Sequence, residues 1–403
     1  MRLATLLTLL LTLTLGAAQS VEIGGRAAAT FGVTVEGDLP LAAAELALTL
    51  KGEVGAGYFP DAAYRATLLT GYDAATGGAW AELDEAVVTV YLGQVELSAG
   101  KQRRSWGSTD GVNPVDVLNP RDLTFPPDAR KLAVPMLHAD VYASDVRVEL
   151  ALLPVFTPAR LPGESWRPAL TPELPPGVSV VEVFPPEENR PAAEIGNVQF
   201  GVRGTLDLGG FDVSGTYFHG FRTQPTMSAH VEPGDAPGQV RLQPVLDYER
   251  VHLLGIDFSG AVGDVVLRGE AAYGIPVGSS GPGGSAGSHS LQAVLGGEYL
   301  IPGGPRTVIQ AIFDYSTAEG APAQTTYKLM TALTYQADAR TNLDLGWVQS
   351  LDGSGLVMPG ISYAFADGVT GEAKAYVFYG GAGSEFGGWR ANSQLRAGLI
   401  YAF

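Results

Sequence analysis

The stretch Asn197–Tyr217, NVQFGVRGTLDLGGFDVSGTY, decides the fold class. Val198, Phe200, Val202 and Leu206 alternate with Asn197, Gln199, Arg203, Thr205 and Asp207, so an extended chain puts apolar side chains on one face and polar ones on the other. After Gly209-Gly210 the pattern resumes, with Phe211, Val213 and Tyr217 set against Asp212, Ser214 and Thr216. Two glycines between two such runs predict a tight hairpin, because its turn needs backbone angles that glycine adopts without steric cost.

The same texture extends in both directions. Runs of about 10 residues, the length of a tilted transmembrane strand, recur at Leu254-Ile256-Phe258, Val265-Leu267-Tyr273, Leu291-Leu295-Tyr299, Ile309-Phe313-Tyr315, Tyr327-Leu329-Leu333-Tyr335, Leu343-Leu345-Trp347 and Ile361-Tyr363-Phe365. Aromatic residues often stand at the run ends, as interfacial girdles do. A soluble sandwich also alternates, so connection length is the discriminating feature. Short turns are expected near 92–93, 143–145, 208–210, 259–262, 303–305, 337–340 and 366–369. Longer connections are expected near 105–131, 157–194, 222–243, 276–288, 318–325, 351–355 and 381–390. This rhythm predicts an all-β fold, a single transmembrane antiparallel up-and-down β-barrel. An even strand number gives 18 if 21–35, 42–54 and 62–72 are all strands, the preferred count, and 16 if the first is an arm and 42–58 is one strand.

Composition agrees with an exported barrel. Met1-Arg2, the apolar run Leu3–Leu15 and Gly16-Ala17-Ala18 follow the order of a secretory signal peptide, expected at 1–18, with the barrel over 19–403. Beyond Ala18 no stretch approaches the ~20 apolar residues of a helical span, so insertion must use strands. There is no cysteine for a disulfide, thiol nucleophile or lipid anchor. A formal charge of −17 argues against nucleic acid or other polyanions as partners. The 53 glycines and 27 prolines fall between the alternating runs as punctuation. Gly278–Gly287, glycine-rich but without the Lys-Ser/Thr of a phosphate loop, is expected to be a surface loop.

The most individual segment is Leu83–Asp122, LDEAVVTVYLGQVELSAGKQRRSWGSTDGVNPVDVLNPRD. A strand hairpin turning at Gly93 is followed by a loop rich in Asp, Asn and Pro. Gly100, Gln102, Trp106, Gly107, Asp116, Asn119, Pro120 and Asp122 resemble a Gram-negative outer-membrane barrel family of porin-like or exporter type, which carries a G-x-Q, W-G and D-x-x-N-P-x-D segment. The resemblance covers about a tenth of the chain and implies a passive pore of unspecified cargo. The side chains of Asp110, Asn113, Asp116, Asn119 and Asp122, with Pro120, are suited to bracing turns. The loop can fold into the lumen as a constriction or pack over the barrel mouth, and the residues do not choose between these. Asp110, Asp116 and Asp122 lack the spacing of a Ca²⁺ loop and are expected to be solvated turn acids. At the other end, Leu399, Tyr401 and Phe403 share a strand face and resemble the terminal aromatic signal that delivers such proteins to the barrel-assembly machinery.

Parity assigns the lumenal side chains. Glu85, Glu96, Arg104, Arg147, Glu149, Arg203, Asp207, Asp257, Arg268, Glu270, Glu298, Asp314, Lys328, Asp344 and Arg396 are expected to line a pore, as are Glu45, Asp212 and Lys374. Opposed rows of acid and base produce a transverse field that admits small polar solutes and ions. Acids exceed bases, so a weak cation preference follows. The bland reading of the same residues is a ladder of salt bridges that only stabilises the wall.

No enzyme is expected. His138 and Asp140 share a strand face, but no G-x-S-x-G, HxH or HExxH pattern accompanies the five histidines. No cofactor or metal is expected either. The expected function is an outer-membrane porin-like channel bounded by lipid, with a homo-oligomer left open. The alternative is a structural or envelope-anchoring barrel closed by its own loops.

Overall fold

The computed structural model describes residues 20–55, 60–163, 166, 177–278, 287–317 and 322–403. The segment 1–18 assigned to a signal peptide lies outside the described residues. So do 279–286 of the glycine-rich segment, 318–321, and the stretches 164–165 and 167–176 of the connection expected at 157–194.

Described strands are numbered in chain order. The first group is β1 (Ser20–Thr34), β2 (Leu41–Val54), β3 (Ala62–Asp73), β4 (Gly78–Leu92), β5 (Val95–Gln102), β6 (Arg121–Asp122), β7 (Arg130–Lys131), β8 (Val134–Ala143) and β9 (Val146–Leu153). Then come β10 (Ser179–Val183), β11 (Glu187–Asn189), β12 (Gln199–Asp207), β13 (Phe211–Phe221), β14 (Thr226–Pro233), β15 (Gln239–Asp247), β16 (Arg250–Val262) and β17 (Val265–Pro276). The last are β18 (His289–Leu300), β19 (Arg306–Thr317), β20 (Gln324–Gln336), β21 (Thr341–Ser350), β22 (Gly355–Ala366), β23 (Val369–Tyr379) and β24 (Gln394–Ala402).

Eighteen of these form one sheet. Each barrel strand runs antiparallel to its neighbours, and β1 closes the ring by pairing with both β2 and β24, from Arg26 opposite Ala402 to Thr34 opposite Gln394. Closure removes the unpaired edges that make an open sheet sticky and leaves every strand's backbone groups with partners inside the sheet. The first run is therefore a barrel strand and not an arm, which settles the count at the preferred value.

The connections separate by end. On the side of the chain termini they are short, and glycines at positive φ, Gly93, Gly209, Gly263 and Gly368 among them, make the turns. The turn expected at 259–262 lies instead at 263–264, because β16 continues through Val262 and Gly263 (φ 62°) supplies the left-handed residue. On the opposite side 103–133, 154–198 and 222–249 are long and carry structure of their own, whereas 74–77 is a four-residue turn and the longer connection expected at 351–355 is likewise a tight turn over 351–354, because β21 and β22 run on to Ser350 and from Gly355. Residues 154–198 and 222–249 contribute β10, β11, β14 and β15 to a small separate sheet, and 103–133 contains the β6–β7 pair.

The outer face is apolar. Leu48, Leu97, Leu150, Phe200, Leu254, Ile309 and Leu399 all stand exposed, and Leu295 and Ile256 are 60% and 56% exposed, values typical of a surface meant for lipid and not for a protein core. The hydrophobic core lies inside the barrel. Trp106, Val115 and Leu118 of the 103–133 connection pack there against Val134, Met136, Ala151, Leu153, Phe218, Leu253 and Ala272 from the walls. The loop therefore enters the lumen and does not cap the mouth.

Candidate functional site

The lumen is shaped by that loop, and each motif residue has a distinct task. Trp106 is fully buried, its indole donates to Glu149 (3.3 Å), and its ring lies over Gly201, where a Cβ would come within 2.6 Å of it. Gly107 follows at φ +92°. A Cβ here would sit 2.3 Å from Asn113 Oδ1 and 2.5 Å from Glu270 Oε1. Glycine is thus needed twice, for the backbone angle and for the approach to a wall carboxylate. Beyond it the chain wraps Glu270: the backbone N–H groups of Ser108, Thr109 and Val115 and the Thr109 hydroxyl all donate to it.

Asp110 reaches the next wall, 2.9 Å from Arg268 and 3.7 Å from Arg306, and Glu298 joins the same two guanidinium groups. Asp116 accepts from the Trp106 N–H (3.2 Å) and pairs with Lys131 (2.5 Å) and Arg121 (3.6 Å). Asn119 accepts from the Arg104 N–H and donates to the Gln102 and Leu132 carbonyls, and Pro120 is buried beside it. Asp122 binds Thr124, Arg130 and Arg160. Burial works against its charge, but the Thr124 hydrogen bonds and the two arginines hold its carboxyl below the ordinary range. The expectation of solvated turn acids is corrected for Asp116 and Asp122, which are buried, while Asp110 stays part-exposed beside its arginines. Asp110, Asp116 and Asp122 diverge to three sets of cations, each neutralised where it anchors the loop.

The far end of the loop crosses to the opposite wall. Asp128 lies 3.1 Å from Arg396 and 3.5 Å from Lys374 and accepts from the Tyr376 hydroxyl, while the carbonyls of Phe125 and Pro126 accept from Arg396. Gly107→Ala should loosen this bracing by roughly 1–3 kcal/mol. Limited proteolysis of the folded barrel should then cut within 103–133 faster than in the parent protein.

The charged residues read from parity all stand on the inward face, yet they divide sharply by environment. Arg203 bridges Asp257 (2.8 Å) and Glu149 (3.4 Å), Arg147 pairs with Asp140 and Glu149, and Arg104 approaches Asp140 at 3.7 Å. Glu149, Arg203, Asp257 and Glu270 are buried by the loop, and Lys328 is tied between Asp314 and Glu385 of the 380–393 connection. Asp207 caps its turn through the Gly210 N–H, and Glu96 lies near the same short-turn end. Glu85, Arg104, Asp344 and Arg396 border open space.

That open space is eccentric. One cavity of about 630 Å³ lies between Phe125 and Asp128 of the loop and the walls bearing Arg26, Glu45, Asp344 and Glu372. Another of about 500 Å³ is bordered by Lys51, Glu53, Arg65 and Glu85. Both follow β1–β4 and β21–β24, whereas the β8–β17 side is filled. Glu22, Arg26, Lys51, Glu53, Arg65 and Glu372 were not singled out from sequence, although the same parity in β1–β3 and β23 would have found them.

Most of the cations here are matched: Lys51 with Glu22, Arg65 with Glu85, Arg103 with Asp84, Lys374 and Arg396 with Asp128. Among the described residues, Glu45, Glu53, Asp344 and Glu372 have no ion-pair partner, and of the cations only Arg26 stands unpaired in this space.

His138 has Nδ1 3.3 Å from Asp140 and Nε2 3.8 Å from Glu149, the carboxylate that also accepts from the Trp106 indole. Its ring is fully buried, and the Ser98 hydroxyl opposite it bonds Gln102 and Arg104 instead. The arrangement braces the wall, and with the Ser98 hydroxyl engaged by Gln102 and Arg104 it presents no activated nucleophile among the described residues.

No protein-family model matches the chain, and no curated protein matches it. Solved structures share its architecture. OccK11 (OpdR) of Pseudomonas aeruginosa aligns at 9% identity over 95% of this chain and 96% of that one, with a TM-score of 0.55. OmpT, an outer membrane protein of Vibrio cholerae in its trimer form, aligns at 9% identity over 95% and 99%, with a TM-score of 0.49. OmpF of Salmonella typhi, in complex with daunomycin, aligns at 11% identity over 96% and 99%, with a TM-score of 0.47. At such identities the likeness is one of fold, and it rests on the first: this chain has the fold of an outer-membrane barrel.

Proposed function

We propose that this protein is an outer-membrane, porin-like channel that passes small polar solutes and ions passively, with a weak preference for cations. The observation that carries the reading is the strip of lumen along β1–β4 and β21–β24, left open by the loop and bordered by carboxylates without counter-ions. A barrel of 16–18 strands is wide enough for an aqueous path, and an inserted loop narrows it to the scale at which fixed charge acts on a passing ion. The apolar outer belt suits lipid, and the last strand, ending in Leu399, Tyr401 and exposed Phe403, is offered as the segment read during assembly.

Cation preference follows from what remains after pairing. Glu45, Glu53, Asp344 and Glu372 stand against unpaired Arg26 and the one positive charge left where Lys374 and Arg396 share Asp128, so the unbalanced charge of the path is negative. In planar bilayers under a KCl gradient the reversal potential should have the sign of K⁺ selectivity, stronger at 0.1 M than at 1 M salt, where the Debye length falls from about 10 Å to about 3 Å. Replacing Glu45→Gln, Asp344→Asn and Glu372→Gln together should remove most of the preference and leave conductance in high salt nearly unchanged. A parent channel that selects Cl⁻ would refute the charge argument. A well-folded protein that conducts nothing would favour a structural barrel closed by its loops.

A further inference from the structure

The outward face near the long-connection rim carries a histidine pair that the lumen does not explain. His219 in β13 and His252 in β16 are directly opposed across the strand pair, with ring centroids 4.6 Å apart. Their Nδ1 atoms lie 3.3 Å apart, within hydrogen-bond reach, and the Tyr217 hydroxyl lies 2.8 Å from His252 Nδ1. Phe200 flanks the group, with its ring 5.6 Å from that of His219 and 5.8 Å from that of Tyr217. Both imidazoles are half-buried, reachable from outside the wall and held by neighbouring rings.

Two ring nitrogens this close repel through their lone pairs unless a proton or a cation is shared between them. A tetrahedral metal with metal–nitrogen bonds of about 2.0–2.1 Å holds its ligand nitrogens about 3.3–3.4 Å apart, the separation already present here. We infer that His219 and His252 form a site for a divalent transition metal of the zinc, copper or nickel kind, with the Tyr217 oxygen beside the third position and water completing the shell. Imidazole donors select these ions over Mg²⁺ and Ca²⁺, which require oxygen cages.

The cross-strand position gives the site a structural consequence. β13 and β16 are separated in the chain by 222–249, so a bound ion would staple the barrel wall beneath that connection. A second cluster with suitable donors among the described residues, His138, Asp140 and Glu149, is a poorer host. Arg104, Arg147 and Arg203 already neutralise its carboxylates, and an entering cation would meet three guanidinium groups.

The test uses the full chain in detergent, free of added histidines and stripped of metal. Calorimetric titration with Zn²⁺ alone should show one site per chain, weakened about tenfold or more by His219→Ala and by His252→Ala and kept in His138→Ala. Heat-modifiable gel mobility reports whether each variant is a folded barrel. Independently of any variant, electron paramagnetic resonance of Cu²⁺ bound to the unaltered protein should show hyperfine coupling to two imidazole nitrogens. No uptake by the unaltered protein, loss only in His138→Ala, binding indifferent to both rim histidines, or a Cu²⁺ spectrum without nitrogen coupling would each overturn the assignment.

Discussion

Replacing residues 106–129 by a short glycine-serine turn is expected to raise single-channel conductance several-fold. The ends are already placed for it, since Gln102 and Val134 are partners in the β5–β8 ladder and the excursion between them can be shortened without moving either strand. The gain should come from the filled half of the lumen. The loop presently packs Trp106, Val115 and Leu118 against the β8–β17 walls and ties itself to Glu270, Arg268 and Arg396. Removing it exposes Met136, Leu153, Phe218 and Leu253 to water, where each apolar side chain forfeits part of the roughly 1.5–3 kcal/mol that burial supplies. The variant should therefore conduct more and melt earlier. Selectivity should fall at the same time, because Glu45 and Asp344 would act across a wider aqueous section. An unchanged conductance would mean that the limiting section lies elsewhere, and the loop would then be a brace only.

The contrast between wall and loop explains what sequence could disclose. The wall was legible because a strand's side-chain period is two, and a one-residue slip would turn every apolar residue inward. Lipid on one side and water on the other make that period visible, and Arg203, Asp257 and Glu270 are buried while Val202, Leu254 and Ile256 of the other parity stand exposed. The position of the loop was not legible. Trp106 entering the lumen depends on a hole above Gly201, and Gly107 depends on the carboxylate of Glu270, 163 residues onward in the chain. Local turn chemistry explains why Asp and Asn occur in such a loop, but their partners, Arg268, Arg306 and Arg160, come from distant elements that only the folded ring brings near. The early strands illustrate a different difficulty. β1 is rich in alanine and glycine, its alternation is faint, and its membership of the ring is decided by pairing with β24.

Arg203→Met is expected to destabilise the barrel by about 3–5 kcal/mol, the usual consequence of removing one partner from a buried ion pair. Arg203 is 9% exposed, and its guanidinium serves Asp257, Glu149 and the Ser214 hydroxyl at once. Without it Glu149 retains Arg147, whereas Asp257 is left in a dry space with no cation. Arg203→Met combined with Asp257→Leu should recover much of the loss, since an apolar pair of similar volume removes the stranded charge. Heat-modifiable mobility over a temperature series would measure both. The reversal potential supplies the more discriminating comparison. If lumenal charges act by position, Arg203→Met should leave ion selectivity nearly unchanged, because this site is buried under the loop, on the side of the lumen away from the open strip. The exposed trio Glu45, Asp344 and Glu372 should do the reverse, shifting selectivity with little effect on melting. A barrel in which Arg203→Met altered selectivity as strongly as the trio would require the ion path to run through the packed half of the lumen.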